Sequence, residues 1–337
     1  MCLLSRGFEE IMSQLDSVIT QDYSKLISNV IVELKVADKL KHINRNSISI
    51  ENLFFYPAIG GNGLPNTESF IHLLDGSIRR FSLSARELQQ HRKYVLEGDD
   101  IQASLIDSRG RDRFVKYASE AAKRSGEIGE LTLFVLLEAF LSAPKIASKM
   151  KLKTSNEMHV HGADAVHATL NNDNLLTLML GESKFRQDRS TGLNDAIESV
   201  SNFVSSYLKV DKEVELIEGN LDQEILDPIL KTKLIKYFSK FTPESNQTTK
   251  TIAILLGYNR KSLYKNLSSI SDTSERIKEL ERRYTLHATE TVEEFVIKLI
   301  SENNPQFTRV KFIYALLPFD DLNNIKESFH SKARLNK

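Results

Sequence analysis

The feature that most constrains the fold is an apolar run that ends in two opposite charges, residues 175–184 (LLTLMLGESK). Its leucine-rich first part predicts a strand in the middle of a sheet, where a charge without a partner is costly. On a strand, Glu182 and Lys184 leave the same face, while Ser183 points the other way. The pattern therefore favours a functional site at Glu182 and Lys184 over an exposed surface pair.

A second strand is predicted just upstream, within residues 157–170 (EMHVHGADAVHATL), and the Asn/Asp-rich residues 171–174 predict the turn between the two. Neighbouring strands lie about 4.8 Å apart, so this hairpin brings Asp164 beside Glu182. Two carboxylates so placed can share a divalent ion, and oxygen ligands favour Mg²⁺ or Mn²⁺. With Lys184 to orient the attacking water or to offset charge on the phosphate, these residues could hydrolyse a phosphodiester.

A predicted buried helix supplies a further candidate residue. Residues 131–141 (LTLFVLLEAFL) are too apolar for an exposed helix, and the sequence GEIGE at 126–130 leads into them. A carboxylate at a helix start is favoured by the helix dipole and by the free amides there. Glu130 is therefore predicted as a further metal ligand or water-holding residue, with Glu127 one turn earlier as its alternative. Plain helix capping would use the same residue type for the same reason.

These motifs together resemble the core of the PD-(D/E)xK nucleases. They are a Gly-x-x-Gly sequence before Glu130 at a helix start, His-Gly-Ala before Asp164 in a hairpin, and Gly-Glu182-Ser-Lys184. The resemblance implies a restriction-endonuclease-like fold and a catalytic set of Asp164, Glu182 and Lys184. Ala163 stands where the eponymous motif has a proline, a change that such nucleases tolerate.

Residues 126–189 are more closely similar to the nuclease subunit of the Hachiman anti-phage system, the HamA family. The resemblance implies a helicase partner, the HamB subunit of the same system, that controls cleavage. It covers mainly the middle of the chain, and the flanks match in size and general character.

Overall charge gives no support to independent DNA binding, because 45 Lys and Arg balance 45 Asp and Glu. Affinity for DNA must then come from local clusters of basic residues. Such a cluster can also be an ordinary solvated surface of the protein. The candidates are basic residues that flank the motif: Lys145, Lys149, Lys151, Lys153, Arg186 and Arg189. We expect the chain to depend on a partner to reach DNA.

The sequence predicts a cytoplasmic protein. Cys2 is the only cysteine, which excludes an internal disulfide and a thiolate zinc site. No apolar run approaches the roughly 20 residues that span a membrane, and the first residues are too polar for a signal peptide. His159, His161 and His167 could indicate zinc, because His159 and His161 share a strand face. Zinc usually needs three or four ligands, however, and no cysteine is available. We interpret these histidines as polar strand residues or as neighbours of the bound phosphate.

The predicted fold class is α/β, a restriction-endonuclease-like mixed sheet flanked by helices. Residues 1–110 are predicted as an α+β region, 111–210 as the nuclease core, and 211–337 as an α/β region that extends the same domain. Asp75 and Gly76 predict a hairpin between residues 69–74 and 77–82, and Ser84 and Glu87 have capping-box spacing. Strands at 251–257 and 310–317, separated by a helix, predict a parallel crossover. Helices are predicted at about 8–42, 193–208, 221–241 and 272–302.

The sequence thus predicts a Mg²⁺-dependent DNA nuclease that a partner restrains or delivers to DNA. Two alternatives stay open. One is a non-catalytic adaptor that binds a helicase or DNA, which the presence of all three charged residues disfavours. The other is an RNA-cutting toxin, because the metal chemistry does not itself distinguish a deoxyribose backbone.

Overall fold

The computed structural model describes most of the chain. The described residues are 21–121, 126–146, 165–170, 176–205, 221, 224–225, 228–239, 242–243 and 248–333. Among these residues, no helix has the length and apolar character needed to cross a membrane.

The described residues form an α/β structure. Its strands are β1 (Ile31–Glu33), β2 (His42–Arg45), β3 (Ile48–Pro57), β4 (Ala165–Leu170), β5 (Leu176–Phe185), β6 (Thr248–Asn259) and β7 (Lys311–Phe319). Its first six helices are α1 (Gln21–Ser28), α2 (Asp38–Lys41), α3 (Thr67–Ser82), α4 (Ala85–Glu97), α5 (Asp100–Ala121) and α6 (Glu127–Leu141). The others are α7 (Arg189–Ser205), α8 (Pro228–Phe238), α9 (Lys261–Tyr264), α10 (Thr273–Ser301) and α11 (Leu322–Lys332).

The described strands form one mixed sheet in the order β1-β3-β7-β6-β5-β4, with β2 paired to β3. The four central strands, β3, β7, β6 and β5, run parallel. Strand β4 is antiparallel to β5, which confirms the predicted hairpin pairing between these two segments. The parallel pairing of β6 with β7 confirms the predicted crossover.

Helices cover both faces of the sheet. Helices α3, α5, α6 and α11 pack on one face, and α7, α8 and α10 pack on the other. The central strands are therefore buried on both sides, which explains why they are nearly continuous apolar runs. In β5 the side chains alternate accordingly: Leu178 and Leu180 face the α7 and α10 layer, and Met179 and Phe185 face the α6 layer.

The hairpin predicted around Asp75 and Gly76 is wrong, because these residues lie inside helix α3. The buried positions of α3, including Phe70, Leu74 and Ile78, recur with helical spacing, which outweighs the local turn signal. Gly76 has no atoms within 4 Å of where a Cβ would lie, so this glycine serves no close packing contact. It makes no turn either.

Other predicted elements are present in the structure, but they begin and end at different residues. The capping box of Ser84 and Glu87 is present at the start of α4. The helices predicted at 193–208 and 272–302 correspond to α7 and α10, and α8 accounts for part of the helix predicted at 221–241. The helical prediction for residues 8–42 is wrong at β1, and its start lies outside the described residues.

We expect Gly76→Ala to raise the free energy of unfolding by up to about 1 kcal/mol, because glycine is the poorer residue inside a helix. Chemical denaturation measures the change. Gly257→Ala is the contrasting variant, since its Cβ would lie 2.5 Å from Phe185 Cδ1. It should lower stability by about 1–3 kcal/mol. A loss of stability in Gly76→Ala would instead support a turn at this position.

Candidate active site

The end of strand β5 carries the charged pair. Glu182 and Lys184 continue the row of Leu178 and Leu180 on the face that α7 and α10 cover. The ammonium of Lys184 donates to Glu182 Oε1 at 2.5 Å, so the two side chains meet on one face as predicted. Their side chains are 12% (Glu182) and 21% (Lys184) exposed, which places the pair at the margin between the core and solvent.

The other face of the same strand end packs tightly against helix α6 and strand β6. A Cβ on Gly129 would lie 3.0 Å from Ser183 Oγ and 3.1 Å from Phe185 Cδ1. A Cβ on Gly257 would come still closer to the Phe185 ring. Only glycine fits at these two positions without displacing Phe185, so the strand end is held from behind the charged pair. Ser183 has the structural place predicted for it.

The two candidate carboxylates of α6 lie on this second side of the sheet. Glu130 accepts a hydrogen bond from the hydroxyl of Tyr117 on α5. Glu127 is 1% exposed, and its Oε1 contacts Nε2 of His330 on α11. Helix α6 packs against the face that carries Ser183, and at the start of this helix Glu130 and Glu127 have partners on α5 and α11.

Several predicted residues lie outside the described part of the chain. These are Asp164, Lys149, Lys151, Lys153, His159 and His161. Strand β4 begins at Ala165, the residue after Asp164, and Ala165 is paired with Gly181, the residue before Glu182. Among the described residues, which do not include Asp164, there is no group of three or more His, Cys, Asp or Glu side chains that could hold a metal ion.

The two arginines after the motif have protein partners. Arg186 Nε donates to Asp195 Oδ2 on α7 at 2.8 Å, and both side chains are 35% exposed. Arg189 binds Glu294 on α10 and is less exposed, so it joins the two helices of this layer. Arg186 is therefore the more exposed of the two arginines.

Lys145 has a structural role instead of the predicted phosphate contact. Its ammonium donates to the main-chain carbonyls of residues 80, 81 and 83 at the end of α3, at 3.2, 3.2 and 2.8 Å. It also lies 3.9 Å from Glu224 Oε1, in a site where burial raises the pKa of Glu224. A side chain that is only 10% exposed is not accessible to the phosphate backbone of DNA, so the prediction for Lys145 is wrong.

His167 lies in β4 and is 1% exposed. Its Nδ1 lies 2.6 Å from the Ala143 carbonyl, which fixes Nδ1 as the donor. Burial, in the neighbourhood of Lys145 and Arg80, lowers the pKa of His167 to about 3. His167 is thus a neutral strand residue, in agreement with the interpretation preferred over zinc binding.

Acid should destabilise the protein through His167. The unfolded chain takes up a proton on this residue below about pH 6.5, whereas the folded chain resists protonation down to about pH 3. The free energy of unfolding therefore falls as the pH decreases through this window, by about 2 kcal/mol between pH 6.5 and 4.5.

His167→Gln keeps an N–H donor for Ala143 but cannot titrate, so it should flatten this part of the stability curve. Denaturation at a series of pH values measures the slope. His42→Gln, at an exposed position of β2, is the control for the substitution itself. An unaltered slope in His167→Gln would show that this histidine is not the acid-sensitive group.

Comparison with known proteins relates the chain to a family. Residues 30–333 match the family model described as HamA. The match runs from just before β1 to just after α11, so it includes the whole described sheet and both helical layers. No curated protein matches the chain.

Proposed function

The chain belongs to the HamA family, and on this premise we propose that it is the nuclease effector of a Hachiman anti-phage defence complex. Family membership itself indicates a role in Hachiman defence. The proposed activity is metal-dependent hydrolysis of phosphodiesters in DNA by a PD-(D/E)xK core, with Asp164, Glu182 and Lys184 as the catalytic set.

The observation that carries the proposal is the position of the Glu182 and Lys184 pair. It lies at the end of a central strand, with the side chains mostly removed from solvent. An ion pair so placed contributes little net stability, because the cost of desolvation offsets the attraction between the charges. A function for the pair explains its position better than stabilisation of the fold does.

The strand register supports Asp164 as the partner of Glu182. In the antiparallel pairing of β4 with β5, Ala165 is opposite Gly181. If the pairing continues by one residue, Asp164 is opposite Glu182, and opposed residues have their side chains on the same face with Cα atoms about 4.5–5.5 Å apart. Two carboxylates at this separation fit the oxygen ligand set of one Mg²⁺ or Mn²⁺.

Each residue of the set then has a defined task. Asp164 and Glu182 would hold the ion, which when bound lowers the pKa of water and offsets charge on the phosphate. The ammonium of Lys184, on the same face, orients the attacking water or compensates the charge that develops on the phosphate. Arg186, two residues further and partly exposed, is the proposed phosphate contact next to the site. Lys149, Lys151 and Lys153 stay predicted contacts.

Glu130 is the proposed further ligand or water-holding residue, with helix capping as the alternative. Its carboxylate accepts a hydrogen bond from Tyr117 on α5.

A helicase partner, HamB, completes the proposal. With equal numbers of acidic and basic residues, the chain has no net charge to attract DNA. A motor that opens or presents the DNA would provide access to the substrate. We therefore expect cleavage by the chain alone to be weak or uncontrolled.

Glu182→Gln and Lys184→Met should each reduce cleavage by about 10²-fold or more, because each removes a charge that acts on the transition state. Both variants should fold, since the side-chain volumes are kept. The assay incubates the purified chain, alone and with its helicase partner, with DNA and RNA in Mg²⁺ or EDTA.

Glu33→Gln and Lys35→Met are the matched controls, because Glu33, at the end of β1, and Lys35, two residues further on, form an ion pair with the same Glu-x-Lys spacing. They should cleave like the wild type. Wild-type rates in the Glu182 or Lys184 variants would place the catalytic set elsewhere, and no cleavage under any condition would favour an adaptor. Cleavage of RNA alone would favour the toxin.

Glu130→Gln should weaken Mg²⁺ binding and cleavage, because glutamine still accepts the Tyr117 hydrogen bond but lacks the charge of the ligand. Asp164→Asn should lose the ion. Calorimetric titration with Mg²⁺ measures both variants. If Glu130→Gln binds Mg²⁺ and cleaves as the wild type does, Glu130 is a helix-capping residue and not part of the site.

A further inference from the structure

Helix α11 contacts the end of strand β6, the end of strand β5 and the start of helix α6. The Leu322 N–H donates to Asn259 Oδ1 at 2.7 Å, at the end of β6. Lys326 Nζ donates to the main-chain carbonyl of Phe185 at 3.1 Å, at the end of β5. His330 contacts the Glu127 carboxylate at the start of α6. We call these three contacts, at four-residue intervals along the helix, the α11 seam.

The central contact of the α11 seam is made by a lysine side chain that binds a main-chain carbonyl. Lys326 is half-buried, and burial is the main reason why its pKa is lowered. The charge of nearby Arg186 lowers the pKa further, while Glu127 opposes this shift. An ammonium withdrawn from water needs compensating partners. The Phe185 carbonyl and the negative charge of Glu127 are the groups that provide this compensation.

Phe185 lies between the two residues that project toward the proposed substrate. It follows Lys184 directly and precedes Arg186. Its ring is confined by Gly129 on α6 and Gly257 on β6. On the sheet side, the Arg186 N–H donates to the Gly257 carbonyl at 2.9 Å. With its carbonyl bound by Lys326, Phe185 is therefore fixed through both its side chain and its main chain.

We propose that Lys326 is a positioning residue for Lys184 and Arg186. It holds the Phe185 carbonyl from the α11 side of the sheet, so that the side chains on either side of Phe185 leave the strand in a fixed direction. Lys326 does not touch the substrate. The inference rests on the proposed nuclease function, since the orientation of Lys184 matters to the rate only if Lys184 acts on the phosphate.

The expected effect is on the rate constant rather than on substrate affinity. A misplacement of about 1 Å in a catalytic group can reduce the rate by about 10²-fold. Loss of a single main-chain contact should cause a smaller displacement. We therefore expect Lys326→Met to lower kcat by about 10-fold while KM changes by less than about 2-fold.

The test compares Lys326→Met with Lys326→Arg, which can still donate to the carbonyl and should restore most of the rate. Lys332→Met is the control, because Lys332 is an exposed residue of the same helix. Hydrogen exchange provides a readout without cleavage: amides of residues 182–187 should exchange faster in Lys326→Met, while those of β3 and β7 stay protected. Should Lys326→Met fail to fold, Lys326→Leu, which also lacks a donor, replaces it with the same expected results.

The two proposals fail in different ways. If Lys184→Met cleaves like the wild type, the proposed function fails, whereas local exchange at residues 182–187 still tests the role of Lys326 in holding the strand. If Lys326→Met leaves both kcat and local exchange unchanged, the positioning role is overturned. A lower kcat that Lys326→Arg does not restore, or exchange that rises equally across the sheet, would also overturn it.

Discussion

The close packing around Phe185 is the constraint on which the arrangement of the candidate site depends. Helix α6 and strand β6 approach this ring at Gly129 and Gly257, where any side chain would collide with it or crowd it. Phe185 in turn stands next to Lys184. The position of the charged pair on one face of the sheet is therefore fixed by packing on the other face, and the rigidity of the site comes from the apolar core behind it.

The sheet also separates two sets of acidic groups. Glu182 faces the α7 and α10 layer, where Lys184 compensates its charge. Glu127 and Glu130 lie in the α6 layer, where His330 and Tyr117 bind them. Carboxylates that shared one small site would repel each other in the absence of an ion. Each of these three carboxylates therefore has a polar partner of its own among the described residues.

The sequence was informative where a local pattern and the tertiary environment agree. The shared face of Glu182 and Lys184 could be predicted because alternate side chains of a strand leave the same side of the sheet. The hairpin at Gly76 was wrong because Asp-Gly is a strong turn signal only when the flanking residues alternate, and those around Gly76 follow a helical period. For Glu130, the sequence identifies the helix start but not the face of the sheet that the helix covers. Lys326 could not be found from the sequence, because its partner is a main-chain carbonyl 141 residues away.

The pairing of distant segments explains why the family match covers almost the whole chain and not only the motif. The central region contributes β4 and β5, and a two-stranded sheet is only marginally stable in water by itself. Strand β5 gains its second neighbour from β6, and β6 is held by β7, which pairs in turn with β3 near the start of the chain. The helices that bury the two faces of β5 come from both parts of the chain. Helix α6 precedes β5 in the sequence, and α7, α10 and α11 follow it. The charged pair therefore has its geometry only in the complete sheet, to which segments far from it in sequence contribute the neighbouring strands and the covering helices.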